Sequence, residues 1–203
     1  MIKTLIFDFG DVFLDLDKQG AMQNALNVFK IDSLSDEMFA MNHLYEQGKV
    51  STKQFLQFYL DQFPFVSKQE MIDIWNYVLV RFPNHKLNFL KQLQQDNQYQ
   101  LILLSNTNEL HIDWVKKHVS FYEEFKGCFH QFYLSHEINL RKPDQEIFEF
   151  VLSENNLIAE ESLFVDDTKE NTDAASKLNI HTWNIDETQE DVVDLFSINN
   201  HLF

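Results

Sequence analysis

The chain is short of several things, and each shortage excludes something. A single cysteine, Cys128, stands among 203 residues. No disulfide can therefore form within the chain, and the bridged frameworks of small secreted domains do not apply. That usage suits a reducing cytoplasm, and Cys128 itself reads as a small apolar filler. Four glycines and three prolines leave no stretch rich enough to act as a linker. No apolar run approaches the ~20 residues that span a bilayer. The N-terminus, with a lone Lys3 and a brief apolar run, does not fit the pattern of a signal peptide. Positive charge is also scarce: 16 Lys and Arg stand against 32 Asp and Glu, for a net charge of −16. Nucleic acid and anionic membranes demand a basic face, so neither is an expected partner. A small phosphate ester stays open, because a divalent cation and one or two local cations reverse the field inside a single pocket.

What is present is ordinary for a globular chain: 44% hydrophobic and 24% charged residues, with no internal repeat. The length suffices for one sizeable core plus a small inserted domain. The stretch that organises the rest is MIKTLIFDFGDVFLDLD at the N-terminus. Residues 2–7 read as a buried strand that stops at Asp8, followed by Gly10 and Asp11. Residues 8–17 alternate apolar and acidic side chains and read as a turn with a short extended piece. From 18 to 82 apolar residues recur at helical spacing, as in Phe55, Leu56, Phe58 and Tyr59, then Ile72, Ile74, Trp75, Val78 and Leu79. Breaks at 31–35, 48–51 and 63–67 divide the block into about four helices with no strong strand. Ser51 with Gln54 three residues on has the form of a helix cap.

Beyond Pro83 strands and helices alternate. Strands are expected at 99–104, 130–134, 162–165 and 180–185, and helices at 85–95, 109–118, 145–155, 170–178 and 187–196. Asp144 stands where it would cap the helix at 145. Alternation of this kind predicts an α/β fold with a doubly wound, mostly parallel sheet. Residues 1–17 and 83–203 would form the Rossmann-like core, with 18–82 inserted as a helical domain. In such sheets ligands bind beyond the carboxyl ends of the strands. Four strand ends carry polar groups: Asp8, Ser105, the loop from Ser135 to Lys142, and Asp166 with Asp167.

Taken together those groups suit phosphoryl chemistry. Three carboxylates at neighbouring strand ends repel one another unless a cation intervenes. An all-oxygen site favours Mg²⁺. A lysine offsets carboxylate or phosphate charge, a serine hydroxyl binds phosphate oxygens, and one carboxylate is available as a nucleophile. Each piece has a plainer reading beside it. Asp8 alone would be a strand-end turn former. Asp166 and Asp167 would favour the N-terminus of the next helix. Lys142 would be a surface lysine before Pro143, and Ser105 a turn residue. The many phenylalanines, Phe63 and Phe82 among them, read as packing. Asp15, Asp17, Glu37, Glu46, Lys49 and Lys53 read mainly as solvated positions. The eight histidines show no clustered ligand spacing.

Four pieces occur in order: IFDFGDV at 6–12, LLSNT at 103–107, RKPD at 141–144 and FVDDTKENTDAA at 164–175. In this set the chain resembles the haloacid dehalogenase (HAD) superfamily, in the form with a helical cap inserted after the first strand, and is similar to its glucose-1-phosphate phosphatase-like group. The resemblance implies a Mg²⁺-dependent phosphatase of a small phosphorylated metabolite, a sugar phosphate being one candidate. It implies Asp8 as nucleophile and metal ligand. Ser105 and the Asn106 backbone would hold phosphoryl oxygens, and Lys142 would hold nucleophile and phosphate. Asp167, Asp166 and the Gly10 carbonyl would complete the metal site. The chain departs from the usual pattern at Gly10, where most phosphatases of the superfamily carry a second Asp as general acid. Asp11, one residue on, is the substitute candidate. The departure keeps three alternatives in view: metal-free dehalogenation of a 2-haloacid, a phosphomutase, and a binding or regulatory protein that hydrolyses nothing.

Overall fold

A computed structural model describes residues 1–203. In chain order its elements are β1 (Thr4–Phe7), β2 (Asp15–Leu16), α1 (Lys18–Phe29), α2 (Asp36–Glu46), α3 (Thr52–Gln62), α4 (Lys68–Asn76), β3 (Leu79–Arg81), α5 (Asn84–Asp96), β4 (Gln100–Ser105), α6 (Glu109–His118), α7 (Tyr122–Lys126), β5 (Gln131–Leu134), α8 (Ser135–Ile138), α9 (Gln145–Glu154), β6 (Ser162–Asp166), α10 (Lys169–Ser176), β7 (His181–Asn184) and α11 (Leu195–Ile198). Five strands form one sheet in the order β5-β4-β1-β6-β7, every pair parallel. This is the expected α/β architecture with β1 at its centre.

The central strands read as continuous apolar runs because helices cover both faces of the sheet. Side chains alternate across it with a period of two. Leu5, Phe7, Leu101, Leu103, Leu163 and Val165 enter one core cluster, which also takes in α5, α6 and the C-terminal segment. Ile6, Ile102, Leu104 and Phe164 enter the opposite cluster, with Ile147, Phe148 and Val151 of α9 and Ala175 of α10. A third cluster lies within α1–α4, where Phe55, Tyr59 and Trp75 pack ring against ring, and Leu110 of α6 joins it.

Caps set where the inserted helices begin. The Ser51 hydroxyl accepts from the Gln54 backbone amide, and the Ser51 backbone amide donates to Gln54 Oε1 at 2.9 Å. Ser67 and Glu70 repeat the device for α4. The two chain crossings between sheet and helices are tied together by β2 and β3, an antiparallel pair reinforced by Arg81 Nε donating to Asp15 Oδ2 at 2.7 Å.

The structure corrects three expectations. A strand, β3, occupies Leu79–Arg81 inside the block read as wholly helical. Its apolar residues continue the rhythm of α4, so the change of period is hidden over three residues. The helix expected at 187–196 is replaced by a turn, a 3₁₀ segment at Val192–Asp194 and the four-residue α11. There Asp186 accepts from the Thr188 amide, and Glu190 accepts from the Asp186 amide and Trp183 Nε1. Such side-chain bonds compete with helical ones. Asp144 holds the N-cap position of α9 without a side-chain capping bond.

Candidate active site

Strand register builds the site. Phe7, Leu103 and Val165 lie side by side in β1, β4 and β6. One residue further on, that row becomes Asp8, Leu104 and Asp166. The fully buried Lys142 ammonium rests against all three, 2.9 Å from Asp8 Oδ1, 2.8 Å from the Leu104 carbonyl and 2.6 Å from Asp166 Oδ2. Its backbone is held by the Asn106 side chain, which donates to the Lys142 carbonyl and accepts from the Lys142 amide, both at 2.9 Å. Arg141 Nη1 donates to the same carbonyl at 2.9 Å. The loop after β4 is thereby fastened to the loop before α9.

Asp166 is well supplied with donors. Besides Lys142, its oxygens accept from the Thr168 amide at 2.8 Å and from Asn171 Nδ2 at 3.0 and 3.1 Å. Asp8 is not. Its Oδ1 is buried with no directed hydrogen bond, and the approach of Lys142 is a charge contact. Asp8, Asp166 and Asp167 each bring a carboxylate oxygen within 4.8 Å of the others. The Gly10 carbonyl accepts no backbone hydrogen bond. A buried, undersupplied carboxylate oxygen within an oxygen-only donor set fits a small hard dication such as Mg²⁺.

Charge and burial compete here. Burial pushes the Asp8 carboxyl up to about 7, against the pull of Lys142 and with the repulsion of Asp166. Burial also raises Asp167, opposed by Lys18. For Lys142 burial acts downward, but Asp166 and Asp8 outweigh it and the net direction is up.

Asp11 stands at the side of this cluster, linked to Asp167 through Lys18. It sits at φ 55°, its Oδ1 accepts the Leu16 amide at 2.9 Å, and its Oδ2 pairs with Lys18 at 2.7 Å. Its crevice is the polar one beside Asp15, Arg81 and Lys86. The sequence position next to Gly10 suggested a substitute acid; the left-handed turn at Asp11 aims its carboxylate at the Leu16 amide and Lys18. At Gly10 a Cβ would stand 2.7 Å from Leu16 Cδ1, so Leu16 fills the space that a side chain there would need.

A cavity of about 200 Å³ opens at Phe9 and Gly10, the residues that follow Asp8. Ser105, Asn106 and Thr107 line it from the sheet, and Lys18, Glu46, Val78 and His111 from the helical side. Ser105 and Asn106 thus stand where the sequence put them, near Lys142. Several other residues come to this place that the sequence did not single out. Lys18 bridges Asp11 and Asp167, the latter at 2.5 Å. Glu46, read as a solvated position, instead pairs with Arg141 Nε at 2.6 Å. His111 donates through Nε2 to the Trp75 carbonyl and accepts from Asn108 Nδ2 through Nδ1, each at 3.1 Å. Burial pushes its pKa down to about 4, leaving a neutral ring. Asn171 lies within the quoted FVDDTKENTDAA segment, five residues after Asp166, and was legible in principle from that spacing. Glu46 and His111 had no such signal, since helical periodicity does not say which exposed position meets another element.

Comparison with known proteins agrees with this geometry. The family model for haloacid dehalogenase-like hydrolases matches residues 2–179. A D-ribitol-5-phosphate phosphatase of Bacteroides thetaiotaomicron is 29% identical over 198 residues, covering 90% of this chain and 91% of that protein. A HAD family enzyme of the same organism, solved as a magnesium complex, superposes with a TM-score of 0.85 at 32% identity, over 96% of this chain and 98% of that one. A further structure of that organism's HAD family enzyme, with magnesium and inorganic phosphate, gives 0.81 at 30% identity over 97% of this chain and 100% of the other. The chain belongs to the haloacid dehalogenase-like hydrolase family.

Proposed function

We propose that the protein is a Mg²⁺-dependent phosphatase of a small phosphorylated metabolite, working through an aspartyl-phosphate on Asp8. The observation that carries this reading is the row Asp8–Leu104–Asp166 with one buried ammonium laid across it and Asp167 alongside. Support also comes from the relatives, one a phosphatase of a sugar-alcohol phosphate and another solved with magnesium and phosphate.

In this reading Asp8, Asp167 and the Gly10 carbonyl hold the Mg²⁺, with Asp166 beside them. The bound cation would neutralise phosphoryl and carboxylate charge. The Asp8 carboxylate attacks phosphorus, a new P–O bond forms, and the ester P–O bond breaks. Lys142 offsets charge on the nucleophile and on the transferring group. The Ser105 hydroxyl and the Asn106 backbone N–H hydrogen-bond phosphoryl oxygens. Water then cleaves the acyl phosphate and returns Asp8. Asn106 and Asp166 act on Lys142, the first on its backbone and the second on its ammonium. With glycine at position 10 and Asp11 committed to Leu16 and Lys18, the reading favours esters whose leaving group needs little protonation, such as a sugar 1-phosphate. General acid assistance is worth ~10²–10⁴-fold where it operates. Residues 18–82 act as a cap that covers the site and excludes water.

The test is a panel of phosphate esters with Mg²⁺, run beside Asp8→Asn. Turnover that is lost in EDTA and in the variant is expected. No turnover of any ester, or an unaffected Asp8→Asn, overturns the proposal. Chloride release from a 2-haloacid that persists in EDTA would favour dehalogenation instead.

A further inference from the structure

A second chamber, of about 240 Å³, lies within the helices α1–α4. It shares Lys18, Glu46, Val78 and His111 with the cavity beside Ser105, so the two spaces meet at those four residues. Beyond them its wall is apolar. Ala21 and Ala25 of α1 leave room on one side, and Tyr59, Ile74 and Trp75 face it from α3 and α4. The polar residues in the wall are Lys18, Asn42, Glu46 and His111, and all but Asn42 stand at the shared mouth.

Those polar groups are largely occupied. Glu46 is paired with Arg141, His111 is bonded through both ring nitrogens, and Asn42 Oδ1 accepts the Tyr59 hydroxyl at 2.6 Å. A chain of hydroxyls entering the chamber would lose its water and find few partners, which is costly. An apolar group would gain, because each buried methylene is worth about 0.8 kcal/mol. Apolar cavities of about 150 Å³ are large enough to take benzene.

We propose that the chamber is a leaving-group subsite for an apolar or aromatic portion of the substrate, carried beyond the carbon that bears the phosphate. The inference rests on the phosphatase reading for its anchor, with the phosphoryl group held at Asp8, Ser105 and Lys142. It adds the chemistry of the far end: a phosphomonoester with a compact polar start and an apolar tail or ring.

The test uses two matched series on the full protein with Mg²⁺. The first is kcat/KM for 4-n-alkylphenyl phosphates from methyl to octyl, whose phenolate leaving group needs little protonation. The second is the calorimetric Kd of n-alkylphosphonates of the same chain lengths, which bind without turning over. Both are expected to improve by about fourfold per methylene once the chain passes the shared mouth, then to level off as the chamber fills. Ala25→Phe fills the chamber and is expected to flatten the octyl-to-methyl ratio, which is read instead of absolute activity. Ala21→Leu offers the same readout with a smaller insertion. A flat series in the unaltered protein, or a series whose slope survives both variants, overturns the subsite. If no ester turns over while phosphonate affinity still climbs with length and falls in Ala25→Phe, the phosphatase reading fails and the subsite stands.

Discussion

The edge of the sheet and the interior of the helical block solve opposite problems. At the sheet edge, charged groups are buried together: Lys142 meets Asp8, the Leu104 carbonyl and Asp166, and Asp166 also accepts from Thr168 and Asn171, while Asp8 has only the charge contact with Lys142. Among α1–α4 the chamber is mostly apolar, its polar groups other than Asn42 gathered at one mouth. The first arrangement tolerates almost no change, because an unanswered buried charge is expensive. The second is held by many small packing contacts, so its shape can vary while the fold persists. On the proposed function, chemistry belongs to the strand register and selectivity to the helical block.

Substitutions that break the comparison should separate activity from stability. The largest effect is expected at Asp8→Asn, which removes the proposed nucleophile and should lower kcat on the order of 10⁴-fold or more. Steady-state kinetics checks it, with folding monitored by circular dichroism. Next comes Lys142→Met. Removing the ammonium leaves Asp8 and Asp166 buried without their counter-charge, so a stability loss of about 3–5 kcal/mol is expected from urea unfolding, with activity lost as well.

A pH effect sharpens the same point. In EDTA the Asp8 carboxyl is raised to about 7 from its ordinary value near 3.8. Between those values the folded protein binds more protons than the unfolded chain, so this group lowers stability as pH rises from about 4 to 7. The cost is absent below the unfolded value and fully present above the folded one. Unfolding curves in EDTA should show that fall, and Asp8→Asn should remove this contribution to the slope. The smallest effect belongs to the helical block: Ser51→Ala deletes half of a capping box at the start of α3 and should cost about 1 kcal/mol. Thermal unfolding checks it, and kcat should stay near that of the unaltered protein.

The same contrast explains what the sequence made legible. Strands buried on both faces announce themselves as apolar runs, and their polar ends mark one edge, so Asp8, Ser105, Asp166 and Lys142 were readable together. The parallel register then makes neighbours of Asp8, Ser105 and Asp166 without further information, and the Asn106 side chain fastens Lys142 beside them. Contacts between the helical block and the sheet edge carry no comparable signature. Lys18, Glu46 and His111 look like ordinary helix-surface residues until α1, α2 and α6 are assembled around the cavity. The bonds of Asp11 to Leu16 and Lys18 had no signal either, since its proximity in sequence to Gly10 says nothing about a left-handed backbone turn. The strand β3 and the short α11 were obscured by local effects, a three-residue change of period in one case and side-chain capping by Asp186 and Glu190 in the other.

The central claim is that phosphoryl groups pass through Asp8. The most direct measurement is rapid acid quench of the protein turning over a good ester with Mg²⁺, followed by borohydride reduction and peptide mass spectrometry. The account predicts reduction of an acyl phosphate at Asp8, converting that residue to homoserine, and none in EDTA or in Asp8→Asn. Reduction at a different carboxylate, or none at Asp8 while ester is being hydrolysed, would contradict it.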